Sequence, residues 1–593
     1  MHTLKTLYQS EKKFLQKELK LFEKNNVNAA VKLQIQGGVA HDPLMTQLLE
    51  AFALMSARLQ YKNYKDNHFI YEALLQLLYP HCLLPMPAMT IAQYKVLPTL
   101  EPGTCLPRHG KLSLSSSDPV DFQSCYDVIA YPIAIKHCQW KTRFSPPPVL
   151  PALKAQSVLE INIDNLQRQT PLAEQKINYL ELFLNLEEAV GSELYELFFL
   201  HCVAITLTSD NNVAHLCSLP LDIMTTVGQE ERHSLLQYDQ NSSKAQIRLM
   251  EYLAYPQKHY FIRLNHLEQF IHQDSAESMQ LHFYFSESAA HFVDFIDSHV
   301  IKLFCTPIVN LVAVKSDPIT IDDTLPEYPL TTSTQKNLKI FRVTDVNAYH
   351  AYSRAPITTR PYFAQKYSDH QQAHLLHWFV KKMHDEKSQT ESAYLVLSSL
   401  ETSLADDVVL TANMLVMQDF AAERLINAGN TLQLSAVQSD GIDQVKVLRP
   451  MRTMQQGSAS IDRQQQLLHL LMHSESIFSA NHSLSRLQDL IRLLQIGENP
   501  ADYSNAILAF DIQNKTMRHP NQLRFGLVVG FAVNLVLDEA AFPGRHYLLF
   551  ADAIRHYLLG IMPFNSFIEM TLLTKQRGML KHWQASIGES SRE

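Results

Sequence analysis

From Pro43 to Leu78 apolar residues recur at helical spacing. Leu44, Leu48, Phe52, Met55 and Leu59 form one stripe, and Leu49, Ala51 and Leu54 widen it. Asp42 predicts an N-cap, with Pro43 at the first helical position, where its missing N–H costs nothing. A second helix is expected from about Asp66 to Tyr79, ended by Pro80. Leu74, Leu75, Leu77 and Leu78 make it apolar around most of its circumference. The prolines of Pro80-His81-Cys82-Leu83-Leu84-Pro85-Met86-Pro87 then set a stiff extended exit. Upstream, Leu4, Leu7, Tyr8, Phe14, Leu15, Leu19 and Phe22 mark a first helix, with Lys12, Lys13, Lys17, Lys20 and Lys24 as a solvated polar side.

After Ala92 the period changes to two. Thr90–Val96, Tyr126–Ile135 and Val158–Ile163 read as strands. Ser145-Pro146-Pro147-Pro148 is either a rigid linker between two β units or a surface loop inside one domain. Leu182, Leu184 and Leu186 alternate with other residues, Glu187–Leu200 suits a helix, and Val203–Leu207 a strand. Further strands are expected at Lys339–Val343 and Ala393–Leu397, with a helix or insertion over Gln371–His384. Near the C-terminus Phe525, Leu527, Val529, Phe531, Val533, Leu535 and Leu537 alternate with smaller residues, which predicts a strand with one buried face and either a bulge or a close backbone approach at Gly530. A helix over His546–Leu559, closed by Gly560 in the left-handed conformation, and a returning strand Phe567–Leu573 complete a β–α–β crossover. Asn565-Ser566 is either a contact at the edge of this unit or a plain turn.

The predicted organisation is a helical assembly region over 1–91, a β-rich mixed domain over 92–335, a second mixed β domain over 336–455 and a C-terminal α/β domain over 456–593. Four domains agree with a length of 593 residues. The fold class is α+β and multi-domain.

Composition narrows the partners. The net charge of −8, from 51 basic and 59 acidic residues, disfavours nucleic acid and anionic membranes. The chain starts with a charged amphipathic helix, and no run reaches the roughly 18 apolar residues of a membrane span, so a soluble cytoplasmic protein is expected. Seven cysteines without a CxxC spacing suggest neither a disulfide scaffold nor a zinc site.

Candidate chemistry is sparse. His370, His374 and His377 would share a helix face, and His469 and His473 repeat the four-residue spacing. No glutamate completes an HExxH pattern, and 27 histidines make such spacings common, so neither set is expected to bind metal. Asp406-Asp407 and Glu230-Glu231 lie in polar runs and read as solvated loop charges. Phosphate-cradling GxxxxGK[ST] and nucleophile-elbow GxSxG patterns are absent. No catalytic, cofactor or metal site is expected. The rival classes are a hydrolase with scattered catalytic residues and a stand-alone binding module.

The run LLEAFALMSARLQ with LLQLLYPHCLLPMPAM (Leu48 to Met89) resembles the N-terminal signature of TssF, a baseplate subunit of bacterial type VI secretion systems. Gly228 to Leu264 is similar to the family's middle motif, Leu303 to Leu311 to the segment after it, and Phe525 to Phe567 to the C-terminal motif. The resemblance implies a fold related to wedge proteins of contractile phage tails. It also implies a structural role: two TssF copies with one TssG, TssK and TssE recruited to the wedge, and a platform around the VgrG spike for tube and sheath assembly at an inner-membrane-anchored complex. Partner contacts are expected at Leu49, Phe52, Met55, Leu59, Leu75 and Leu78.

Overall fold

The computed structural model describes residues 4–589 outside the segments 115–119, 151–153, 168–169, 210–214, 239–241, 273–276, 322–324, 334–337, 363–374, 386–389, 400–407, 419–424, 426–430, 435–440, 456–460, 480–481, 498–502 and 519–525. Two compact units result. A helical unit takes Met1–Leu83 together with Ser458–His473, and a β-rich unit takes Leu84–Gly457 together with Ser474–Glu593. Within the helical unit sequence proximity does not decide membership, because Ile461–Met472 packs along a helix almost 400 residues earlier.

The helical unit is built on Leu4–Asn25, the short Val27–Lys32 and one helix of 36 residues, Pro43–Leu78. The Asp42 carboxylate accepts the Leu44 N–H at 3.1 Å, as the cap pattern predicts. The two expected helices are therefore one. No proline or glycine lies between Pro43 and Tyr79, and the polar run Tyr61-Lys62-Asn63-Tyr64 alone does not stop a helix that packing already supports. Pro80 does stop it. The first helix lies along the long one, joined by a Lys12–Glu50 ion pair of 2.6 Å and by Ser56 and Gln60 donating to Glu11.

In the β-rich unit a closed six-stranded barrel pairs Met89–Val96 with Cys305–Val309 on one side and Ile442–Val447 on the other. All five residues of Cys305–Val309 are buried. An antiparallel five-stranded sheet follows, in which Ile133–Lys141 and Ser157–Asn165 are neighbours. The proline run 146–148 thus joins two strands of one sheet, which is the surface-loop alternative. The strand expected over Tyr126–Ile135 is split into Val128–Ala130 and Ile133–Lys141, with Pro132, which has no N–H for a ladder, in the gap.

An eight-stranded sheet holds Leu338–His350, Thr390–Ser399 and Val408–Gln418, and it also takes Val312–Lys315 and Tyr328–Pro329. The expected boundary at residue 335 lies inside this sheet. Leu375–Asp385 is a strand of the same sheet, not the helix expected over Gln371–His384. Leu376 and Trp378 are buried two residues apart and Val380 packs against the same core, so the period-two burial of a large apolar set prevails. Residues 371–374 lie outside the described set.

The C-terminal strands run in the order Ile507–Arg518, Leu527–Leu537, Phe567–Thr574, Gly578–Ile587. The central two are parallel, with helix Tyr547–Ile561 between them in sequence, so the β–α–β crossover is present. A Cβ on Gly530 would fall 2.2 Å from the Phe567 carbonyl oxygen, which is the expected close backbone approach. The predicted buried face holds only from Val533 to Leu537; Leu527 and Val529 are exposed, and Phe525 is outside the described residues. Gly560 does not cap the helix. It lies within it, where a Cβ would sit 2.5 Å from the Ala245 Cβ of helix Lys244–Ala254, and the helix ends at Ile561 before the extended Met562. Ser566 N–H donates to the Pro563 carbonyl at 3.0 Å, so Asn565-Ser566 belongs to a turn.

Candidate docking surface

The long helix is apolar on two opposite sides. At 100° per residue Leu44, Leu48, Phe52, Met55 and Leu59 fall on one side over about 22 Å. Their exposures are 76, 65, 58, 70 and 62%. Ile70 and Leu77, also exposed, fall on the same side further along. Ala53, Ala57 and Leu75 are fully buried on the opposite side. Single exposed apolar residues are ordinary on a protein surface, but a contiguous row of five large ones is not.

Of the six residues expected to meet a partner, the structure brings Phe52, Met55 and Leu59 together on this row. Leu49 is half-buried against a small cluster of Ala30, Ile35 and Ala40. Leu75 is fully buried within the chain, because it falls on the same side as Ala53 and Ala57. Leu78 is exposed near the C-terminal end, away from the row. Leu44 and Leu48, at the helix start, belong to the row although the expected set omitted them; their spacing from Phe52 was the available signal.

The candidate histidines, cysteines and carboxylates are placed as follows. His377 is buried on a strand, so it shares no helix face, and His370 and His374 lie outside the described residues. The His469 and His473 rings meet edge to face at 5.1 Å. Among the described residues no group of three His, Cys, Asp or Glu side chains is placed to hold a metal ion. All seven cysteines are free thiols, and burial pushes Cys138 and Cys202 up to about 12, which keeps them protonated and poorly nucleophilic. Glu230 and Glu231 are exposed and pair with Arg232 and Lys244. Asp406 and Asp407 lie outside the described residues. No helix among those described is long and apolar enough to cross a membrane.

Several polar residues of Gly228–Leu264 are engaged internally. Lys258 and Glu251 form an ion pair of 2.5 Å at 1% exposure each. Glu251 also accepts the Leu235 N–H at 2.9 Å, and Lys258 donates to the His233 carbonyl at 3.3 Å. Gly228, at φ +108°, leaves the space that the His259 ring fills. Burial, with Arg263 and Arg232 beside it, lowers His233 to about 3, and burial alone lowers His546 to about 4. His546 meets the Tyr252 hydroxyl within an aromatic cluster that includes Tyr503, Phe542 and Phe550. These groups are neutral or paired inside a core.

A family model described as "Type VI secretion system, TssF" matches residues 1–590. The type VI secretion system component TssF1 of Pseudomonas aeruginosa PAO1 is 22% identical, with 98% of this chain and 98% of that protein covered. Among solved structures, a chain of a TssK-TssF-TssG baseplate subcomplex superposes with a TM-score of 0.72 at 17% identity, over 92% of this chain and 99% of that one. A chain of a type VI secretion system baseplate complex gives 0.57 at 15% identity, over 99% and 100%.

Proposed function

We propose that this chain, which belongs to the TssF family of type VI secretion system proteins, is a structural subunit of the baseplate wedge. In this reading two copies join one TssG, and the wedge recruits TssK and TssE. It also contributes to the platform around the VgrG spike on which tail tube and sheath assemble. The similarity to a chain of a TssK-TssF-TssG baseplate subcomplex supports association with TssG and TssK. The chain acts by binding and conformational change, without turnover, in the cytoplasm at an inner-membrane-anchored complex.

The observation that carries the reading is the exposed apolar row of the long helix. A face of five large apolar side chains suits burial against helices of another chain, read through i, i+4 anchors. In this reading Phe52, Met55 and Leu59 make the contact with Leu44 and Leu48, Leu78 adds a separate exposed contact near the end of the helix, and Leu49 and Leu75 support the helix from within. Co-expression with TssG followed by native mass measurement tests the assembly directly. A two-to-one complex is expected, and a chain that stays monomeric beside folded TssG would defeat the reading. Removal of residues 500–593 should leave the chain partly folded yet unable to complete a baseplate.

A further inference from the structure

A recess of about 160 Å³ opens between helix Tyr547–Ile561, the outer strand Gly578–Ile587 and the turn that follows helix Glu188–Glu196. It is smaller than the roughly 300–1,000 Å³ of small-molecule and cofactor pockets, and its volume suits a single side chain. Its wall carries one carboxylate, Asp552, which is already engaged by Arg555 at 3.6 Å and His556 at 3.7 Å. Arg555 also donates to Ser586 at 2.7 Å, yet its Nε is buried without a partner, as is His556 Nδ1. Lys581 forms no ion pair among the described residues. Its ammonium lies 5.6 Å from the Phe199 ring centroid and 5.2 Å from that of Trp583, which hold it in place. Burial lowers the Lys581 pKa, and the nearby Asp552 carboxylate, already engaged by Arg555 and His556, offsets this only in part. The open hydrogen-bonding capacity is thus mostly donor, the charge surplus is positive, and two rings stand ready for an apolar stem.

We propose that this recess binds a carboxylate, contributed as an acidic side chain by a partner polypeptide, with the carboxylate on Lys581 and its methylene stem against Phe199 and Trp583. A charge-assisted bond to a half-buried ammonium is favoured over one in water. The proposal rests on the assembly reading only in assigning the carboxylate to a partner.

The test uses the purified full chain and N-acetylglutamate α-amide as probe, followed by tryptophan fluorescence at constant ionic strength. The expected result is saturable binding that N-acetylglutamine amide does not reproduce. Lys581→Met should weaken it at least ~tenfold, and Lys581→Arg should retain it. Inorganic phosphate is the second arm: weaker binding supports a stemmed carboxylate, and binding as tight as the probe's would mark a free-anion site and overturn the proposal. No saturable response to the probe, or an unchanged response in a Lys581→Met chain of native circular dichroism, would also overturn it. Should Lys581→Met fail to fold, Lys581→Gln takes its place under the same criteria. Because the isolated chain is used, probe binding without any TssG complex would sink the assembly reading alone, and a normal complex without probe binding would sink the recess alone.

Discussion

The two units use large apolar residues in opposite ways. The β-rich unit hides Trp140, Tyr252, Phe261 and Phe283 completely, and even encloses the Glu251–Lys258 pair. The helical unit leaves Leu44, Leu48, Phe52, Met55 and Leu59 in solvent while it buries Ala53 and Ala57. The β-rich unit encloses the larger part of its apolar pattern, leaving scattered exceptions such as Leu527, Phe564 and Met579, whereas the helical unit covers only the side that faces its own chain. An amphipathic helix needs one neighbour, and a helix apolar on opposite sides needs two. The magnitudes agree with that need. Burying each such side chain is worth about 1.5–3 kcal/mol, while association costs an estimated ~4–15 kcal/mol of lost freedom. A partner on this row would therefore have to cover several of the five together, which makes the row, not any single residue, the thing to test.

The sharpest way to break this contrast is to put charge on the row. Phe52→Asp with Met55→Asp should weaken the TssG complex at least about a hundredfold, since two buried contacts are lost and two carboxylates must be desolvated. The same variant should unfold within about 0.5 kcal/mol of the wild type, because both side chains are already in solvent. Native mass spectrometry reads the first outcome and urea titration the second. A folded variant that assembles normally would end the docking proposal.

Next in size is the enclosed pair of the other unit. Glu251→Gln leaves Lys258 charged at 1% exposure with its carboxylate gone, which should cost about 3–5 kcal/mol. All three tryptophans, Trp140, Trp378 and Trp583, belong to the β-rich unit, so their fluorescence isolates its unfolding transition. A loss under about 1 kcal/mol would mean that the pair is not enclosed.

Acid should reach the same unit through its buried histidines. His546 and His233 stay neutral in the folded chain down to about 4 and about 3, but once unfolded they take up protons near 6.5. The unfolded state therefore binds more protons below that value. Their contribution to stability is fully present above pH 6.5 and is lost as pH falls, by about 1.4 kcal/mol per pH unit for each ring until its folded pKa is reached. Urea midpoints from tryptophan fluorescence should drop steadily between pH 6.5 and 5, and His546→Asn should flatten that slope. A midpoint that rises over this range would contradict the burial of both rings.

What the sequence made legible follows from the range of each signal. Asp42-Pro43 and Pro80 mark the ends of the long helix because caps and proline act within one turn. Strand Met89–Val96 and the β–α–β crossover were readable from period alone. The continuity of the long helix through Asp66 was not, because polar residues lower helix propensity without breaking the backbone. The barrel was hidden because Met89–Val96 pairs with Ile442–Val447, and pairing at that separation leaves no local trace. The exposed row was legible in part: spacing put Phe52, Met55 and Leu59 on one side, but only tertiary packing separates the buried Leu75 from the exposed Leu78. The recess had no signal at all, since Phe199, Asp552 and Lys581 come from three distant segments.

The smallest predicted effect concerns Gly560, where the sequence suggested a left-handed cap and the structure shows a contact. In a helix interior Gly→Ala should gain about 1 kcal/mol of propensity, but the new methyl would meet the Ala245 Cβ at 2.5 Å. Overpacking of this kind costs about 1–3 kcal/mol, so Gly560→Ala should be neutral to destabilising by about 2 kcal/mol. The decisive measurement is the cycle with Ala245→Gly. If the methyls collide, the double variant should recover stability beyond the sum of the singles by about 1 kcal/mol or more, as neighbouring sites do. A cap would show no such coupling, because the strain at a positive φ does not depend on residue 245. Leu48→Ala on the exposed row provides the contrast. It removes three carbons from a side chain 65% exposed and should change stability by no more than about 0.5 kcal/mol. A single methyl should therefore matter more inside the β-rich unit than most of a leucine side chain on the long helix, until a partner covers that helix.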